Sequence, residues 1–173
     1  HTALLTKRGR VYTFGSNEHG QLGLGHLMAS DSPQPVRGLL DDKHIIDIAC
    51  GSFSTFAVSE VYSVYGWGLS SKNRLGTPGP SQRKKEIQRP TSPPPRSAGA
   101  DFTILETGAP VLSDDDEFQE MAPIRIEALQ GLELTRIFAG PSHAFATSTD
   151  GKILVWGDCN TPMKAKNSDP KLP

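Results

Sequence analysis

The side chains best suited to chemistry in this chain are His1 and His143, each a candidate base or metal ligand. Both stand at the same place in a repeated pattern. Each opens a short apolar run, His1-Thr2-Ala3-Leu4 and His143-Ala144-Phe145-Ala146, and Ser54-Thr55-Phe56-Ala57 is a third of the same design. Catalysis needs a nucleophile and a base within hydrogen-bond reach, and no nucleophile elbow or Cys-His signature accompanies them. A histidine at a recurring scaffold position is better used to hold a turn between strands through its ring nitrogens.

The other candidates read in the same way. Gly23-Leu24-Gly25 and Gly66-Trp67-Gly68 contain Gly-x-Gly, but no helix follows to aim amides at a phosphate, so these glycines serve packing and turns. Asp114-Asp115-Asp116-Glu117 lacks the alternating ligands and central Gly of a calcium loop and reads as a solvated acidic run. Ser113 beside it suits an acid-directed kinase, and Ser92 before Pro93 a proline-directed one, so both are candidate phosphoacceptors. Pro93-Pro94-Pro95-Arg96 reads as a spacer rather than a polyproline ligand. No catalytic, metal or cofactor-binding residue is expected.

Composition narrows the partners. Eighteen Lys and Arg stand against nineteen Asp and Glu, a net charge of −1, with no basic face to argue for direct nucleic-acid binding. No apolar run reaches the roughly 18 residues of a membrane span, so no membrane partner is expected. Cys50 and Cys159 are in no paired-ligand spacing and read as small buried hydrophobes of a reducing compartment. A cytoplasmic location follows, with nuclear or cytoskeletal sites also open. The chain starts inside a repeat and reads as a piece of something longer.

The elements that must position these residues come from the repeat itself. Gly15, Gly68 and Gly157 each stand fourteen residues past His1, Ser54 and His143, and each ends an apolar run on an aromatic-Gly step at Phe14, Trp67 or Trp156. Gly9 and Gly151 mark turns in the first and third copies, and Gly51 and Gly140 close the strands that precede Ser54 and His143. Leu75-Gly76 repeats Leu22-Gly23, seven and eight residues past the aromatic-Gly step. Ser30 to Val36 reads as a polar loop, and the stretch Pro123-Ile124-Arg125-Ile126 resembles Pro35-Val36 of the first copy. Several short strands per copy, a period near 50 and little helical periodicity predict an all-β partial β-propeller of about two blades plus the start of a third. Near-continuous apolar strands such as Ile153-Leu154-Val155-Trp156 suit blades covered on both faces.

Residues 1–76 therefore read as the first copy and the start of the second, and 122–160 as the rest of the second and the start of the third. Between them, 77–121 is rich in Pro, Ser and charge and is expected to be a disordered insertion, as is the tail 161–173.

His1 to Leu4, Gly9 to Gly15, Asn17 to Gly25 and Ala49 to Gly51 together resemble the repeat of the regulator of chromosome condensation family. The resemblance implies a seven-bladed propeller, of which this chain looks like the C-terminal end. Through Gly66-Trp67-Gly68, Asn73-Arg74-Leu75 and an expanded loop, it looks most like the propeller of the NIMA-related serine/threonine kinases. That implies a non-catalytic regulatory module whose partner is a kinase domain in the same parent. No kinase motif lies in these residues, so this chain would not itself phosphorylate. The rival implication is a guanine-nucleotide exchange factor for a Ran-like small GTPase, and a blander one a chromatin- or microtubule-associated scaffold.

Overall fold

A computed structural model of the chain describes residues 1–70, 74–76, 102–104 and 118–157. The described strands are β1 (Thr2–Leu5), β2 (Val11–Gly15), β3 (Ser30–Pro35), β4 (Ile45–Cys50), β5 (Ser54–Ser59), β6 (Val64–Leu69), β7 (Phe102–Ile104), β8 (Gln119–Arg125), β9 (Leu134–Ala139), β10 (His143–Ser148) and β11 (Ile153–Gly157). They form three sheets, ordered β1-β2-β3, β4-β5-β6-β8 and β9-β10-β11-β7.

The fourteen-residue spacing is a hairpin register. Ser54 lies across from Gly68 and His143 across from Gly157, while Thr2 faces Phe14. Crowding explains the glycine. Gly68 has φ 104°, and a Cβ there would stand 2.2 Å from the Phe53 carbonyl oxygen; Gly157 has φ 98° and 2.5 Å to Ser142 O. Both the left-handed backbone and the close approach exclude a side chain.

Strand alternation then sorts the core into two layers. On β5 and β6, Ala57, Tyr65 and Trp67 face the first sheet and pack with Val11, Val36, Leu40 and Ile45. Phe56, Val58 and Val64 face the third and pack with Leu134, Ile137, Ala144, Ala146, Leu154 and Trp156. Every residue of β5 and β6 is buried, because this sheet is covered on both sides. The third sheet alternates instead. Phe138 and Ile153 are exposed on its far side, where Phe138 stacks on Phe145 at 4.7 Å.

The all-β partial propeller is what the chain forms, with β4 closing the first sequence copy and opening the second sheet. Four expectations change. Ser30–Pro35 is a strand, not a loop; it lies at a sheet edge, where proline is tolerated because no ladder donor is needed on the open side. Val36 N donates to Val11 O and Ile126 N to Val64 O, so within the Pro123–Ile126 stretch Ile126 is the counterpart of Val36, which shifts the alignment of the two prolines. Within 77–121, Phe102–Ile104 is a strand parallel to β11 and Gln119 to Met121 begin β8; the other residues of that tract lie outside those described. Cys50 is exposed, not buried, although local desolvation pushes its thiol pKa up.

One turn is strained. Gly9 N donates to Thr6 O, Gly151 N to Ser148 O, and at the same place Tyr62 N donates to Ser59 O. Gly9 and Gly151 have φ 70° and 82°, and Tyr62 holds φ 60° with a side chain attached. Left-handed backbone costs a non-glycine residue about 1–2 kcal/mol. Tyr62→Gly should therefore raise unfolding stability by about 1 kcal/mol, seen as a higher urea midpoint. An unchanged or lower midpoint contradicts the strain.

Candidate functional site

The loop after β2 carries the joint between the first two sheets. Asn17, fully buried, accepts from Leu22 N through Oδ1 (2.9 Å) and donates through Nδ2 to His26 O (2.7 Å) and Met28 O (3.0 Å). Gln21 Oε1 accepts from His19 N (2.8 Å), and Thr13 Oγ1 donates to Leu22 O (2.6 Å). So braced, the loop presents the Gln21 carbonyl to the second sheet, where it accepts from Trp67 Nε1 (2.9 Å) and Thr55 Oγ1 (2.7 Å). His1 Nε2 lies 2.8 Å from the same Thr55 oxygen. Since that hydroxyl spends its proton on Gln21, His1 is the donor, through an Nε2–H. The ring ties sheet to sheet rather than bracing a turn.

Gly23 lies against this indole: a Cβ there would be 2.7 Å from Trp67 Nε1. Gly76 does the same at the second joint, 3.0 Å from Trp156 Cδ1. Burying an indole of this kind is worth on the order of 3 kcal/mol. Nearer the inner strands, Asp47 Oδ2 accepts from Ile137 N (2.9 Å) and stands 3.6 Å from Arg136 Nε.

The remaining repeat residues take scaffold places. A Cβ on Gly9 would meet the His44 ring at 2.8 Å, on Gly51 the Gly140 carbonyl oxygen at 2.7 Å, on Gly140 the His143 ring at 2.6 Å, and on Gly15 the His1 Cα at 3.0 Å. Gly151 is open and Phe14 half-buried. His1 and His143 belong to different sheets. Among the described residues no group of three or more His, Cys, Asp or Glu is placed to hold a metal ion. Ser92, Ser113 and Cys159 lie outside those residues.

Exposed side chains lie at both ends of the sheets, and at the hairpin-turn end Val61 (66% exposed) and Tyr62 accompany the charged pairs. The Ser148–Lys152 turn holds Asp150 against Lys152 Nζ and Ser148 Oγ, which pulls its carboxyl down to about 2. Beyond it, Arg125 pairs with Glu127 at 2.9 Å. The opposite rim, formed by the Gly51–Phe53 turn, the loop after β2 and the start of β8, is apolar. Phe53 is 41% exposed, Met121 42% and Met28 68%, with Leu27 beside Met28. Contacts join these pieces: the His19 and Phe53 rings meet at 4.6 Å, and Gly25 N donates to Met121 O (2.8 Å). Thr55, Gln21 and Asp47 were not visible as joint residues in the sequence. Gln21 stands inside the Asn17 to Gly25 motif, but the group that bonds is its backbone carbonyl, which side-chain type cannot signal.

Residues 8–58 match the regulator of chromosome condensation (RCC1) repeat model. That stretch carries one RCC1 repeat. It is 31% identical to the human probable E3 ubiquitin-protein ligase HERC3 over 91% of its own length and 16% of that protein's, and 27% identical to human HERC6, of which it covers 12%. Among solved structures it resembles human WBSCR16 (TM-score 0.62, 22% identity) and yeast RCC1 (Prp20) bound to Kap60 (0.60, 19%), covering 90% of this chain and 30% and 29% of theirs. The chain thus spans less than a third of the proteins it matches, and its fold is that of RCC1 propellers.

The Thr55 hydroxyl serves two partners in a buried joint. Thr55→Val should cost about 1–3 kcal/mol of unfolding free energy, while Thr2→Val, its exposed counterpart in the first sheet, should stay within about 0.5 kcal/mol. Denaturant titration of both variants checks this, and equal losses would contradict the joint.

Proposed function

We propose that this chain is a non-catalytic protein-interaction module of a larger protein, and that it binds through the apolar rim around Phe53. The observation that carries the reading is four exposed hydrophobics, Leu27, Met28, Phe53 and Met121, on loops held by a rigid set of sheets. Large side chains presented on fixed loops suit protein partners rather than small ligands.

The relatives support a regulatory or substrate-recruiting part in a parent whose chemistry lies elsewhere. HERC3, matched along nearly the whole chain, is named a probable ubiquitin ligase, which favours a ligase-type parent. A NIMA-related kinase parent, with the propeller restraining its kinase domain, is the reading that the loop after Trp67 favours. Yeast Prp20p is described with binding properties to Gsp1p and histones, which keeps exchange on a small GTPase as the second reading.

The test uses the full-length parent in cells, with proximity labelling as the readout. Phe53→Asp combined with Met121→Asp should remove a distinct subset of labelled proteins, while Lys7→Glu with Arg8→Glu, across the sheets, should leave that subset in place. An identical set for all three proteins contradicts the rim as the binding face. Accelerated nucleotide release from a small GTPase by the full-length parent would favour exchange instead.

A further inference from the structure

The two joints are built on one plan, but only the first has every polar group of that plan paired among the described residues. At the first, His1, Thr55, the Gln21 carbonyl and Trp67 form a continuous hydrogen-bonded chain. The repeat offset places Ser54, Ala144, Arg74 and Trp156 at the same four positions of the second. Ala144 has no hydroxyl to bridge, and Ser54 is too short to span where His1 reaches. Ser70 stands where Asn17 pins its loop with three hydrogen bonds.

The cost is visible atom by atom. Ser54 Oγ, Ser70 Oγ and Trp156 Nε1 are buried and have no hydrogen-bond partner among the described residues. Ser54, Ser70 and Trp156 are 1%, 0% and 2% exposed, so water does not reach them in the closed state. A buried polar group without a partner has given up its bonds to water for nothing and recovers them on opening. The Trp156 ring also lies looser under its glycine, at 3.0–3.4 Å from a Cβ on Gly76 against 2.7–3.0 Å at Gly23.

From this contrast we infer that the joint between the second and third sheets is a built-in opening seam, and that the joint between the first and second is a fixed one. The inner edge of the seam is held by the Asp47–Ile137 bond. Opening is therefore a swing about β4 and β9 that uncovers Trp156 and Phe56, whose rings meet at 5.8 Å, together with Leu75. Simple fraying predicts the reverse order. The first sheet has three described strands against four in the third, so incomplete packing alone would loosen the Trp67 joint first.

The chain holds two tryptophans, one in each joint, so its indole N–H signals report the joints separately. Hydrogen exchange of the 15N-labelled chain should show Trp156 Nε1–H exchanging at least about tenfold faster than Trp67 Nε1–H. Ser54→His with Ala144→Thr, which copies the first joint into the second, should bring the two rates within about threefold while leaving Trp67 unchanged. Ala144→Ser alone is the smaller graft if the pair disrupts folding, and should slow Trp156 in the same direction. Equal rates in the unaltered chain, or a faster Trp67, overturn the seam. Grafts that fold and leave the ratio unchanged overturn the missing polar bridge as its cause.

Discussion

A glycine set face-on against the indole of the next sheet is the contact on which the rest of this structure depends. Gly23 on Trp67 and Gly76 on Trp156 are places where neighbouring sheets approach closely at their loop ends. The contact works only because each glycine sits in left-handed backbone, at φ 69° and 66°, which turns the loop down onto the ring. It also needs the tryptophan one residue before the Gly of its own hairpin, so that the ring leaves the strand toward the preceding sheet. One small residue and one large residue, held in register, set the spacing of the wedge.

The apolar layers follow from that spacing. With the indoles fixed, alternate residues of β5 and β6 divide between two interfaces, and the middle sheet loses its polar face altogether. Polar groups caught in the joints must then find partners inside the protein. The first joint provides them through Thr55 and the Gln21 carbonyl; in the second, Ser54 Oγ, Ser70 Oγ and Trp156 Nε1 find none among the described residues. Function is left to the loops at the rim, whose shape is set from below by Asn17 and Gln21 and whose exposed side chains are free to vary.

Much of this was legible from residue types. A constant distance between a polar opener and an aromatic-Gly step is a cross-strand register written along the chain, and it needs no tertiary context to be seen. Leu75-Gly76 was equally plain, because steric demand for glycine leaves a fixed letter. What stayed hidden depends on neighbours. Thr55 and Asp47 look like ordinary strand residues until another sheet lies against them, and Tyr62 carries no mark of the left-handed turn it fills. Ser30 to Pro35 reads as loop because two prolines deny it ladder donors, yet an edge strand does not need them all. Which residue of Pro123 to Ile126 matches Val36 is hidden because, at the end of the long insertion, the copies no longer share a spacing.

The wedge contact can be measured against a close control. Gly23 and Gly25 share a loop and a left-handed backbone, with φ 69° and 80°, but a Cβ on Gly25 would meet nothing within 4 Å. Backbone strain alone should cost each alanine variant about 1–2 kcal/mol, and the clash with Trp67 should add about 1–3 kcal/mol at Gly23 only. Urea unfolding of Gly23→Ala and Gly25→Ala therefore measures the contact itself. A markedly larger loss at Gly23 is the predicted result, and equal losses would contradict the account.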